Sequence, residues 1–240
     1  MPQIQGLGPK EDTLCEMFFN RAKLQPNSTF IWTKREYDWV SHSWGEVANQ
    51  VEIIASALAQ RGITAGARVA ILSENRLEWI IADLAIMSIG AISVPLFTTY
   101  TQTDITYLLS HSGARAIICS NSELTALAET AAQDSRDCYL MVVMEQSKLL
   151  YHSLNLAIVE WGELIEEGRV AKANSEFESP EMSTDDVCCI IYNSDGDERP
   201  KGAMLTHRSI MANLAGAEGL LRDLSLGREV FLSMLPLSHA

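Results

Sequence analysis

The sequence predicts an α/β fold, a layered parallel sheet flanked by helices. Two observations carry this. Short apolar runs such as Ala67–Leu72, Arg115–Ser120 and Tyr139–Met144 alternate with longer stretches of helical period. The runs are apolar at consecutive positions, as strands covered on both faces must be, and strands alternating with helices build parallel sheets. The 240 residues suffice for one large domain or two small ones, and 47% hydrophobic with 20% charged residues suits a packed chain.

Taken in order, a helix is expected near 11–24, with Leu14, Met17, Phe18 and Ala22 on one face, and a short strand at 29–33. A strongly amphipathic helix follows from Ser43 to Arg61. Ser43 with Glu46 forms a capping box, Val47, Val51, Ile54 and Leu58 keep the helical period, and Gly62 ends it. Strands are expected at 67–72, 91–95, 115–120 and 139–144, with helices at 75–89, 103–112 and 122–133 between them. The apolar stretch Trp79–Phe97 contains Asp83, a glycine and a proline, so it reads as a buried helix and strand rather than a membrane span, with Trp79 as core packing. Residues 173–186 form a polar break, the expected subdomain linker, before a buried strand at 187–192. A loop and a helix from Thr206 to Arg222 come next, then a strand opening at Phe231–Met234. The ending directly after that strand predicts a truncated domain.

Composition narrows the functional classes. A net charge of −13 with no Lys/Arg cluster disfavours nucleic acid. The five cysteines match no zinc or C-x-x-C spacing, and Cys119, Cys188 and Cys189 sit in apolar strands, so buried thiols in a reducing compartment are expected and no metal site. The N-terminal segment has no apolar signal core, which points to a cytoplasmic protein. His42, His111 and His152 read as surface residues without a role, and His207 as a packing residue at a helix start rather than an acid or base.

The segment Tyr192–His207, YNSDGDERPKGAMLTH, carries the chemistry. A buried strand, a polar loop with Pro-Lys-Gly and a helix start together present unpaired N–H groups and a lysine, a frame suited to phosphate. It is not a Walker A loop, since no G-x-x-x-x-G-K-S/T is present. It is not an EF-hand loop either, because that register starts at Ile191 and needs Glu where Gly202 stands.

This segment resembles the Y-T-S-G-T-T-G-x-P-K-G-x-M-L-T-H motif of AMP-forming acyl and aryl synthetases, matching without a gap at Tyr192, Ser194, Pro200, Lys201, Gly202, Met204, Leu205, Thr206 and His207. Trp44-Gly-Glu46, Gly90-Ala-Ile-Ser-Val-Pro-Leu96 and Leu235-Pro-Leu-Ser-His239 resemble further motifs of that superfamily, the last in the form used by its long-chain fatty acyl branch. The resemblance runs from about residue 11 onward and implies the incomplete N-terminal domain of an adenylate-forming long-chain fatty acid–CoA ligase. It implies ATP with magnesium and CoA as co-substrates and a fatty acid as the partner to be activated, with peripheral membrane association possible for such an enzyme. Asn193, Ser194, Gly196 and Lys201 would then line the nucleotide phosphates, with Ser194 and Lys201 contacting their oxygens, and His239 would lie beside the acyl and adenylate pocket.

Five loop positions depart from the motif. Asn193, Gly196 and Asp197 replace threonines, and Asp195 and Glu198 replace glycines. Three carboxylates thus stand where a triphosphate would sit, and like charges about 4 Å apart repel by about 4 kcal/mol at an effective dielectric near 20. Weak ATP binding is expected. The superfamily's ribose Asp, magnesium Glu, hinge and C-terminal lysine fall outside this sequence, so the chain alone is expected to be inactive. Two further readings stay open, a non-catalytic pseudoenzyme or truncated isoform acting as a binding module, and an aryl- or amino-acid-adenylating ligase. A partial sheet with missing neighbours also predicts aggregation through an unpaired edge.

Overall fold

The structure is a computed structural model and describes residues 11–145, 156–175, 177–193, 199–223 and 230–238, with the side chains of 218–223 left aside. Its centre is a seven-stranded sheet of order β7-β6-β5-β3-β4-β8-β9. The strands are β3 (Arg68–Leu72), β4 (Ile92–Leu96), β5 (Ala114–Cys119), β6 (Leu140–Val143), β7 (Ala157–Glu160), β8 (Val187–Asn193) and β9 (Lys201–Thr206). All neighbours run parallel except β9, which is antiparallel to β8.

Helices cover both faces, as the doubly apolar strands require. Val69, Ile71, Ala116, Ile118, Leu140 and Val142 face one layer, made by α1 (Leu14–Leu24), α2 (Trp44–Gln60), α3 (Leu77–Ser88) and α6 (Trp161–Asn174). The alternate residues Ala70, Leu72, Ile117, Cys119, Met141 and Val143 face the other, made by α4 (Gln102–Ser112) and α5 (Ser122–Gln133). This period of two, with each of these twelve positions buried, produced the continuous apolar runs.

Local signals act where expected. Ser43 and Glu46 close a reciprocal capping box at α2, with Glu46 Oε2 accepting from Ser43 N at 2.8 Å. Gly62 takes φ +86° just past that helix. A second capping box, Thr101 with Asp104, opens α4 without having been expected, and Gly113 ends that helix in the left-handed region.

Four features differ from expectation. The strand at 29–33 is β1 (Thr29–Arg35), and it pairs antiparallel with an unforeseen β2 (Asp38–Ser43) in a separate hairpin. Strand β7 and helix α6 follow within a region with no expected element. The segment after Pro200, expected as loop, is strand β9, and the expected helix, α7 (His207–Asp223), follows it at the expected place. Residues 231–234 lie in no strand. Asn75 holds that last segment instead, its side chain donating to Leu235 O at 2.7 Å and accepting from Leu237 N at 2.8 Å.

The polar stretch before β8 crosses the surface of the first layer. Phe177 meets Phe19 with ring centroids 6.4 Å apart, and Ser179 Oγ donates to Ser88 O at 2.9 Å. Strand β8 then enters the sheet beside β4, aligned through Ser93 and Cys189.

Candidate functional site

The site is built on the β8–β9 hairpin. Val187–Asn193 is apolar enough to enter the sheet, and Lys201–Thr206 returns along it with Asn193 opposite Lys201, Tyr192 opposite Gly202 and Val187 opposite Thr206. Two predicted site residues, Asn193 and Lys201, therefore stand abreast at the hairpin mouth, both exposed. Ser194, Gly196 and His239 lie outside the described residues, as do Asp195, Asp197 and Glu198.

One expectation is corrected. The helix N-terminus is not beside the loop. Thr206 caps α7, its Oγ1 accepting from Ser209 N at 3.2 Å, but it pairs with Val187 at the far end of the hairpin. Five strand steps at about 3.4 Å each put it about 17 Å from Lys201, beyond the first-turn reach of a helix dipole. A phosphate held at the mouth would therefore draw nothing from the start of α7.

Glycine at 202 has a packing cause. A Cβ there would lie 2.8 Å from Ile190 Cγ2 and 3.1 Å from Tyr192 Cζ, so the Tyr192 ring lies over the bare backbone opposite it. Tyr192 is 3% exposed, and its phenol is pushed up chiefly by burial. Its Oη is 2.8 Å from His111 Nδ1. His111 is exposed, as expected of a surface residue, but its ring is tied to the hairpin, a contact that the reading without a role did not anticipate. Tyr107, one turn earlier on α4, donates from Oη to Pro200 O at 3.2 Å, and the Arg199 guanidinium stands 5.4 Å from its ring centroid.

The remaining residues fall as follows. His207 is buried, and burial holds its imidazole below the usual range; Leu14 N donates to its Nδ1 at 3.4 Å, so it packs as a neutral ring. All five cysteines are buried free thiols, and burial pushes Cys15, Cys138 and Cys188 up to about 12 and Cys119 and Cys189 higher still, which leaves no thiolate nucleophile. A cavity of ≈ 460 Å³ opens between α3, the hairpin and α7, lined by Trp79, Asp83, Met87, Cys189, Leu205 and Leu214. Trp79 packs there as expected, 6% exposed. Asp83 was not singled out as a site residue; burial raises its carboxyl from 3.8 to about 6. Among the described residues no cluster of three His, Cys, Asp or Glu could hold a metal, and no helix is long and apolar enough to cross a membrane.

Comparison with known proteins gives this geometry a setting. The family described as "AMP-binding enzyme" matches residues 18–240. Peroxisomal long chain acyl-CoA synthetase 6 of Arabidopsis thaliana is 31% identical over 210 residues, covering 86% of this chain and 29% of that protein. Fatty acyl-CoA synthetase A of Dictyostelium discoideum is 28% identical over 211 residues, covering 85% and 30%. The putative long-chain-fatty-acid CoA ligase of Rhodopseudomonas palustris CGA009 superposes with a TM-score of 0.76 at 23% identity, over 95% of this chain and 52% of that one, a likeness of fold. The chain thus spans about a third of the length of the curated relatives it matches.

Proposed function

Since this chain belongs to the AMP-binding enzyme family, we propose that it is the phosphate-loop part of a long-chain fatty acid–CoA ligase. In the proposed reaction a fatty acid carboxylate attacks the α-phosphorus of ATP and releases pyrophosphate. The CoA thiol then displaces AMP from the acyl-adenylate. The observation that carries this reading is the hairpin mouth, where Lys201 stands abreast of Asn193 in the frame Tyr192–His207.

In this proposal the Lys201 ammonium pairs with phosphate oxygens, Asn193 and Ser194 donate hydrogen bonds, and Gly196 lets the backbone approach. His239 stands toward the acyl group. Magnesium would sit on the phosphates, and the chain's own part is to bind and orient them. Residues 1–240 form part of the AMP-binding domain, with the break at 173–186 leading into the phosphate-loop segment 187–240. The protein is cytoplasmic or attached to a membrane surface, where long-chain fatty acids partition.

The acidic loop favours a second reading, a chain that keeps the fold and has lost the activity. Asp195, Asp197 and Glu198 oppose a triphosphate, and electrostatic stabilisation at phosphorus needs cations. MgATP binding by calorimetry separates the two, measured on the native chain and on a variant carrying Asp195→Gly, Gly196→Thr, Asp197→Thr and Glu198→Gly. The expected result is binding at least tenfold tighter in the variant. Absence of binding in both removes the phosphate-site reading for this chain, and acyl-adenylate formed by the native chain removes the inactive one.

A further inference from the structure

Among the described residues the β8–β9 ladder ends at the pair Asn193–Lys201, and no backbone pair past it sets how far apart the two arms stand. One face of α4 does. Tyr107 and His111 are four residues apart and so lie one above the other on the helix. His111 reaches Tyr192, the residue before Asn193 on one arm, at 2.8 Å. Tyr107 reaches Pro200, the residue before Lys201 on the other arm, at 3.2 Å. The rings of Tyr107 and His111 are 5.2 Å apart and those of His111 and Tyr192 5.7 Å, so the three rings form one row with Arg199 over its end.

We propose that Tyr107 and His111 are positioning residues that set the width of the hairpin mouth and hold Asn193 and Lys201 abreast. The value of that spacing rests on the phosphate-binding reading above; the brace itself does not. The helix that bears it is fastened at both ends. Thr101 and Asp104 cap its start, and at its end Arg68 on β3 donates to Ser112 O at 2.6 Å and Gly113 O at 2.8 Å. The brace therefore ties the mouth to the central strand of the sheet. Gly202 completes it, because a Cβ there would press on the Tyr192 ring at 3.1 Å and on Ile190 at 2.8 Å.

The test is amide hydrogen exchange on the full 240-residue chain without nucleotide. Tyr107→Phe and His111→Ala should each speed exchange at Tyr192, Asn193, Lys201 and Gly202 at least tenfold and leave β3 and β5 unchanged. His111→Asn, whose amide can stand where Nδ1 stands, should restore the native rate. Native rates in Tyr107→Phe and His111→Ala, equal acceleration across the sheet, or failure of His111→Asn to rescue would each overturn the proposal. In the background with the four loop positions restored, Tyr107→Phe should weaken a fluorescent ATP analogue at least fivefold and the matching AMP analogue less than twofold. Equal weakening would also overturn the positioning role. If that background binds neither analogue, the phosphate-binding reading fails while the exchange rates still decide the brace.

Discussion

Strands β3 and β9 belong to one sheet and are held in it by different means. On β3 every residue after Arg68 is fully buried, pinned between α2 and α3 on one side and α4 on the other. On β9 Met204 is 69% exposed, and the strand keeps its place through one neighbour, β8, and the contacts Tyr107 and His111 make at the mouth. Burial is non-directional and redundant, so the centre resists any single loss of shape. A hydrogen-bonded brace is directional and has few members, so its loss changes local geometry before it changes stability. The candidate site sits in the second kind of region, as binding elements on a rigid scaffold commonly do.

The largest effect expected is at the packing of α6 on α2. A Cβ on Gly168 would lie 2.0 Å from Ile53 O, a backbone atom that cannot step aside. Gly168→Ala should cost about 3 kcal/mol or more, as severe overpacking does, and be read as a fall in urea midpoint. A midpoint within experimental error of the native chain would show that the two helices slide freely and that the first layer is looser than the centre of the sheet. Next in size, Leu109→Ala in the second layer should cost about 2–5 kcal/mol, whereas Met204→Ala on β9 should stay within about 0.5 kcal/mol. Equal losses at the two positions would erase the contrast between centre and edge.

The same contrast explains what was legible in the sequence. Strands β3 to β6 and the helices between them announce themselves because burial on both faces leaves long apolar runs. The capping box of Ser43 and Glu46 is likewise a local signal. Strand β2 was hidden because the turn before it places Glu36 at φ +50° with no glycine or asparagine to mark it. Strand β9 was hidden because an edge strand with one neighbour needs no alternation, and Pro-Lys-Gly reads as a loop. The tie between His111 and Tyr192 spans 81 residues of sequence, and no local period can reveal it. The loop's departure from the family motif was plain from residue types alone, but the distance from it to the helix start depended on seeing β9.

A pH titration sharpens the comparison at the cavity where centre and hairpin meet. Asp83 has a folded pKa of about 6 against an ordinary 3.8, so folding favours its protonated form. Its contribution is fully present below about pH 4 and is lost as pH rises through 6. The shift is worth about 3 kcal/mol at most. Asp83→Asn removes the charge. It should leave stability nearly unchanged at pH 4 and raise it by about 1–3 kcal/mol at pH 8, seen as a flatter dependence of unfolding free energy on pH. A variant whose stability keeps the native slope between pH 4 and 7 would place the carboxyl in contact with water.

The smallest expected effect uses the same residue type as the largest, with the opposite sign. Gly216 lies in α7 on an exposed face, with nothing within 4 Å of an added Cβ and no positive φ. Alanine there gains helix propensity and loses no packing, worth about 0.5–1 kcal/mol. Gly216→Ala should therefore slow amide exchange in α7 by about two- to fivefold, and raise the global midpoint only if α7 unfolds together with the sheet. A rise in the midpoint equal to the local gain would join α7 to the cooperative centre. A local gain without it would place α7 with the hairpin, in the part of the molecule whose geometry can shift while the core stays folded.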